Sequence, residues 1–116
     1  MEEFVSFLES RIADAEQSAA ALRADDRNDE AALEKIRGNI YGIFVSVAQA
    51  GKKATKTPEE LRAFVENNMQ RIPASWSVAR DKAAAAGDTV RVVQEDVKLA
   101  AMQEIRDAFA RLYGGA

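Results

Sequence analysis

The sequence predicts an all-α protein, an antiparallel bundle of four to five helices, three long and two short. Three observations carry that expectation. Alanine supplies 23 of the 116 residues and proline only two, a composition that favours helix. Large apolar residues recur at steps of three and four, the period of a helix buried on one face. The stretches between the periodic runs are short and hold helix-stop and helix-start residues.

The length suits one domain, residues 1–116. Apolar residues make up 47% of the chain, but 23 of them are alanine and only 32 are large. Alanine buries little area, whereas a large aliphatic side chain contributes about 1.5–3 kcal/mol when fully buried. Such a core is adequate for a small bundle. It leaves room for a second subunit to cover part of the apolar surface.

The first helix is expected over residues 2–24. Phe4, Leu8, Ile12, Ala15, Ala19 and Leu22 share one face, with Glu9, Asp14, Glu16 and Arg23 on the other side. Asp25-Asp26-Arg27-Asn28-Asp29 holds turn and N-cap types and no large apolar residue, so it reads as a tight connection. The second helix, residues 28–54, starts with Asp29 and Glu30 at the positive end of its dipole. Leu33, Ile36 and Ile40 mark its apolar face, and Gly51 with Lys52, Lys53 and Lys56 marks its end. Its stretch Ile40–Val47 is also rich in strand formers, but a lone strand would have no pairing partner here.

Thr57-Pro58-Glu59-Glu60 is the clearest local signal. Thr57 caps, Pro58 suits the first helical position and Glu60 completes a capping box. The third helix, residues 58–71, shows Leu61, Phe64, Val65 and Met69. Ile72-Pro73 interrupts it, because a residue before proline avoids the α region. A short fourth helix, residues 73–86, carries Trp76, Ala79 and Ala83 and stops at Gly87-Asp88, a glycine C-cap followed by an aspartate N-cap. The fifth helix, residues 89–113, has Val90, Val93, Val97, Ala100, Ile105, Phe109 and Leu112 as its expected core stripe. Gly114-Gly115-Ala116 reads as a frayed end. The three long helices would each span about 34–40 Å, and the two short ones together match that length as a broken fourth rod.

Composition excludes several chemistries. The chain has no histidine and no cysteine. That removes histidine acid–base catalysis, thiol nucleophiles, disulfides and the usual zinc, haem and iron–sulfur ligands. No cofactor or metal is expected. Glu-x-x-His di-iron pairs cannot be formed either. Charges number 16 basic and 19 acidic, a net of −3, evenly divided between the two halves of the chain. Neither half is a basic arm or an acidic tail. The start Met1-Glu2-Glu3-Phe4 is acidic where a secretory signal would be basic. The longest uncharged run, Gly38 to Gly51, is short of the roughly 20 residues that span a bilayer, so no membrane anchor is expected.

Few residues point to a site. Gly38, Gly42, Ser46 and Ala50 fall four apart and form a small-residue ridge on the second helix. Two helical glycines cost about 1 kcal/mol each, which calls for a reason such as close approach of another backbone. The candidates are an intrachain crossing against alanines (Ala15, Ala19, Ala100, Ala101), a homodimer axis, or a small-ligand cavity. Trp76 is read as a core plug at a bundle end or as an anchor in a partner interface. Tyr41 and Tyr113 are expected at the border with their hydroxyls near water. Glu59 and Glu60 are explained by capping, while Glu95 and Asp96 are expected on a solvated face opposite the apolar stripe. Asp107 and Arg111 are expected to pair on the surface. Lys52, Lys53 and Lys56 form a small basic patch at a helix end, without the glycines of a P-loop.

The function that fits best is non-enzymatic: a small helical protein of the bacterial cytoplasm acting through protein–protein contacts or as a homodimer. A second reading takes residues 59–86 as a helix-turn-helix-like DNA-binding segment. The proline connection and the acidic balance weigh against it, so nucleic acid is not the expected partner. A third is a small-ligand site built from Tyr41, Arg37 and carboxylates.

Overall fold

The computed structural model describes residues 1–114; Gly115 and Ala116, and with them the expected frayed end, lie outside the described residues. Five helices form: α1 Glu2–Ala24, α2 Asn28–Ala54, α3 Pro58–Arg71, α4 Ala74–Ala85 and α5 Thr89–Tyr113. The fold is the expected all-α bundle, and Ile40–Val47 is helical. The fourth helix is one residue shorter at each end than its sequence range, with Pro73 and Ala86 as its caps.

Local chemistry explains the boundaries. Thr57 Oγ1 accepts the Glu60 N–H at 3.1 Å, and the Glu60 carboxylate reaches back to the Lys56 N–H at 3.4 Å, one residue earlier than in an ideal capping box. Gly87 takes φ +75°, where a side chain would be strained, and Asp88 accepts the Arg91 N–H at 3.1 Å. Gly51 is not a cap. The α2 helix continues to Ala54, and a Cβ at Gly51 would lie 2.7 Å from Leu61 Cδ1 and 2.8 Å from Phe64 Cδ1. The glycine lets α3 cross close to α2.

The break between α3 and α4 has a different cause from the one expected. Ile72 sits in the α region, at φ −64° and ψ −48°. The interruption comes from Pro73, which has no N–H to give to the Met69 carbonyl four residues earlier. Arg106 of α5 supplies the missing donor, its Nη2 lying 3.2 Å from Met69 O. A side chain of one helix therefore satisfies the carbonyl that proline orphans on another.

In the bundle, α1 and α2 pack along their lengths, α4 packs on α5, and α2 also touches α3 and α5. The α2 and α5 helices run parallel: Tyr41 meets Glu104 near their middles. Both the α1–α2 and α4–α5 turns thus lie at one end of the molecule, here the open end. The opposite, basal end gathers Phe4, Leu8, Ile40, Tyr41, Phe44, Val65, Met69, Met102, Ile105 and Phe109 into the core cluster. Phe4 and Phe109 meet edge to face at 5.2 Å, and Phe109 and Tyr113 at 4.9 Å. Toward the open end, among the described residues, the buried side chains of α1, of the first three turns of α2, of α4 and of the first half of α5 are Ala15, Ala19, Ala31, Ala83 and Glu95.

Candidate functional site

The open end holds an apolar cleft of about 370 Å³ between α2 and α5. Asp29, Ala32, Leu33 and Ile36 line one wall; Thr89, Val90, Val93 and Gln94 line the other. Val90 is 68% exposed and Val93 is 45% exposed. Of the residues lining the cleft, only Asp29 carries a charge. Large apolar residues at such exposure are unusual when they are contiguous rather than scattered.

The first half of α5 presents a different face from the one its sequence predicts. Val90, Val93, Val97 and Ala100 read as the core stripe, yet Val90, Val93 and Ala100 are exposed and Val97 is only half-buried. Ile105 and Phe109, in the second half of the expected stripe, are buried as predicted, and the face continuous with Phe109 along the helix is that of Met102 and Glu95, spaced by seven. Glu95, expected on a solvated face, is 1% exposed. Its Oε1 accepts from Arg91 Nε at 2.8 Å and Lys98 Nζ at 3.2 Å, while Oε2 has no partner among the described residues. A buried carboxylate is costly unless paired, and these two cations on its own helix make its burial tolerable. Asp96 is exposed as expected and bonds Arg80 of α4 at 2.9 Å, which ties α4 to α5.

A polar clamp closes the basal side of the cleft. The Tyr41 hydroxyl donates to the Glu104 carboxylate across the α2–α5 crossing. Arg37 Nη1 donates to the same phenol oxygen at 3.3 Å, and Arg37 Nε to Glu34 at 2.7 Å. Tyr41 is therefore no border residue; its ring is fully buried. Burial pushes the phenol pKa up from 10.0, and the neighbouring Glu104 carboxylate adds to the rise against the opposing Arg37 charge. Burial works against the Arg37 charge, but the bonds to Glu34 and Tyr41 outweigh it and hold the pKa above its ordinary value. Tyr41, Arg37 and carboxylates do come together, as the ligand reading expects. Each is engaged with another member of the group.

The small-residue ridge divides. At Gly38 a Cβ would lie 3.2 Å from Ala15 Cβ, so this glycine serves the α1–α2 crossing. At Gly42 nothing lies within 4 Å, and Ser46 and Ala50 face solvent. Trp76 is half-buried and packs on the core cluster. Asp107 accepts from Gln103 at 2.9 Å rather than from Arg111, whose guanidinium lies 5.8 Å from the centroid of the Phe7 ring. The α3 and α4 helices hardly touch, unlike the mutually packed pair of a helix-turn-helix. No helix is long and apolar enough to cross a membrane, and no group of three or more acidic residues is placed to hold a metal ion, both among the described residues.

Sequence reasoning missed the cleft, although a signal was present. The first half of α5 carries apolar residues on two faces, Val90, Val93 and Val97 on one and Val92 and Leu99 on the other. The bundle half-buries Val92 and Leu99 and leaves Val90 and Val93 exposed. The chain matches no protein-family model, no curated protein and no solved structure. Fold and site together define a class, an all-α bundle with an uncovered apolar helix face.

Proposed function

We propose that this protein works by contact with another helix, seated in the α2–α5 cleft, and not by catalysis. One observation carries the reading: the first half of α5 leaves Val90 and Val93 exposed while burying Glu95. An amphipathic helix laid in a groove is a common mode of recognition. Leu33, Ile36, Val90 and Val93 offer it four apolar contacts across two walls. A bacterial cytoplasm is the setting we assign, the lack of cysteine fitting a reducing compartment. The convergent polar groups favour contact over chemistry, since Arg37, Tyr41, Glu34 and Glu104 bond one another.

A photo-cross-linking amino acid introduced in the source cell tests the reading. Placed at Val90 it is expected to give covalent adducts with a protein, and placed at Val78, an exposed valine on α4 outside the cleft, it is not. Equal labelling at the two positions retires the proposal.

A further inference from the structure

The apolar cleft runs into an acidic hollow. Asp29 lines the cleft and also a hollow of about 330 Å³ at the α1–α2 turn, which it shares with Asp26, Arg27, Asn28 and Glu30. A segment lying in the cleft and reaching its outer end therefore meets Asp29 first and Asp26 beyond it. On the other wall the outer end is Thr89, directly after Asp88.

The two turns at this end, residues 25–30 and 87–88, carry Asp25, Asp26, Asp29, Glu30 and Asp88 against Arg27 alone. Their net charge of −4 exceeds the −3 of the whole chain. Helix dipoles do not offset it, because each turn joins a helix C-terminus to a helix N-terminus and the two partial charges oppose each other.

The cations nearby are engaged or lie on other faces. Arg27 is bonded to Glu30 and lies 3.9 Å from Asp25. Glu34 holds Arg37, Asp96 holds Arg80, and Glu95 holds both Arg91 and Lys98. Arg23 and Lys35 line a separate groove between α1 and α2. Lys82 belongs to α4, no residue of which lines the cleft. Asp26 and Asp29 are in no ion pair among the described residues. No group of three or more acidic residues among the described residues is placed to share a metal ion. The cation that matches them is one carried by the molecule in the cleft.

We infer that the helix seated in the cleft is a basic one, an amphipathic segment of a different protein. Its apolar face lies on Leu33, Ile36, Val90 and Val93, and a lysine or arginine at its outer end bonds Asp26 and Asp29. This rests on the contact reading above and adds the partner's charge and direction. The apolar walls accept any apolar helix; the carboxylates at one end favour a helix with cations there and repel one with acids there. A second copy of this chain brings a net charge of −3, the wrong sign.

The photo-cross-linking amino acid at Val90, combined with charge changes in the source cell, tests this. Asp26→Arg/Asp29→Arg is expected to cut the yield of the protein adduct by about tenfold, with unchanged helicity. Glu9→Arg/Glu66→Arg makes the same change in net charge at exposed positions of α1 and α3 and is expected to leave the yield unchanged. Asp26→Asn/Asp29→Asn, which only removes charge, is expected to fall between the native chain and the arginine pair. The adduct is expected to map to a segment with lysine or arginine within about three helical turns of the attachment point. A yield that the Asp26→Arg/Asp29→Arg pair does not lower, or that the Glu9→Arg/Glu66→Arg pair lowers equally, overturns the inference. So does an adduct segment without lysine or arginine, or an adduct made of two copies of this chain. In each of those cases the contact reading stands. If Val90 in the native chain gives no adduct, both fail.

Discussion

The two ends of this molecule are built from the same five helices and solve burial differently. At the basal end three phenylalanines, two methionines and the Tyr41 ring interlock around α2. At the open end the buried side chains are four alanines and a glutamate among the described residues, while the larger apolar groups are half-buried or, as at Val90 and Val93, exposed. Alanine lets α1 and α2 approach closely, but it fills little space. Leu33 and Ile36 line one wall of the cleft and Val90 and Val93 the other, and it stays open. One end is closed within the chain; the other leaves Val90 and Val93 exposed.

The largest expected effect contrasts the two ends directly. Phe44→Ala, in the basal core, is expected to cost about 3–5 kcal/mol in urea unfolding. Val90→Ala, measured under dilute conditions, is expected to stay within about 0.5 kcal/mol. Similar losses at the two positions would break the distinction.

Next comes the clamp between the ends. Tyr41→Phe is expected to cost about 1–2 kcal/mol, since it removes a hydrogen bond to a carboxylate and leaves Arg37 one acceptor fewer. It should also alter the alkaline limb of the stability profile. The folded chain holds the Tyr41 proton more tightly than the unfolded chain. That stabilisation is complete below the ordinary value of 10.0 and is lost as the pH rises through the raised folded value. Burial also raises the Tyr113 pKa, so the variant should show a shallower alkaline loss, not its abolition. An unchanged alkaline slope would show that the phenol is not held as described.

The glycines of α2 sharpen the comparison at smaller scale. Gly51→Ala is expected to cost about 1 kcal/mol, the crowding against Leu61 and Phe64 exceeding the gain in helix propensity. Gly42→Ala is expected to stabilise by about 0.5–1 kcal/mol, because its Cβ would meet nothing within 4 Å. Thermal melts of the pair give opposite shifts if Gly42 is open. A destabilised Gly42→Ala chain would mean that another molecule covers this face.

Helix positions were legible because their signals are local. Thr57 and Asp88 cap the helices they precede, and Gly87 turns where only glycine is unstrained. The faces of α1 were legible too: Phe4, Leu8, Ala15 and Ala19 are the residues its periodicity places inward. Periodicity placed Ile105 and Phe109 inward correctly and failed on the first half of α5, where two apolar faces compete and a pattern of three and four fits both. Of the expected site, the ridge kept one functional close approach, at Gly38, and lost the rest to solvent.

The sequence by itself determined five helices, their ends and the absence of histidine and thiol chemistry, because capping, propensity and composition act within a few residues. Only the tertiary structure decided which face of the first half of α5 turns inward. The basal side chains Met102 and Phe109 take the packed side, and a rigid helix carries that choice along its length to Glu95. The buried glutamate and the exposed valines are two consequences of that one rotation.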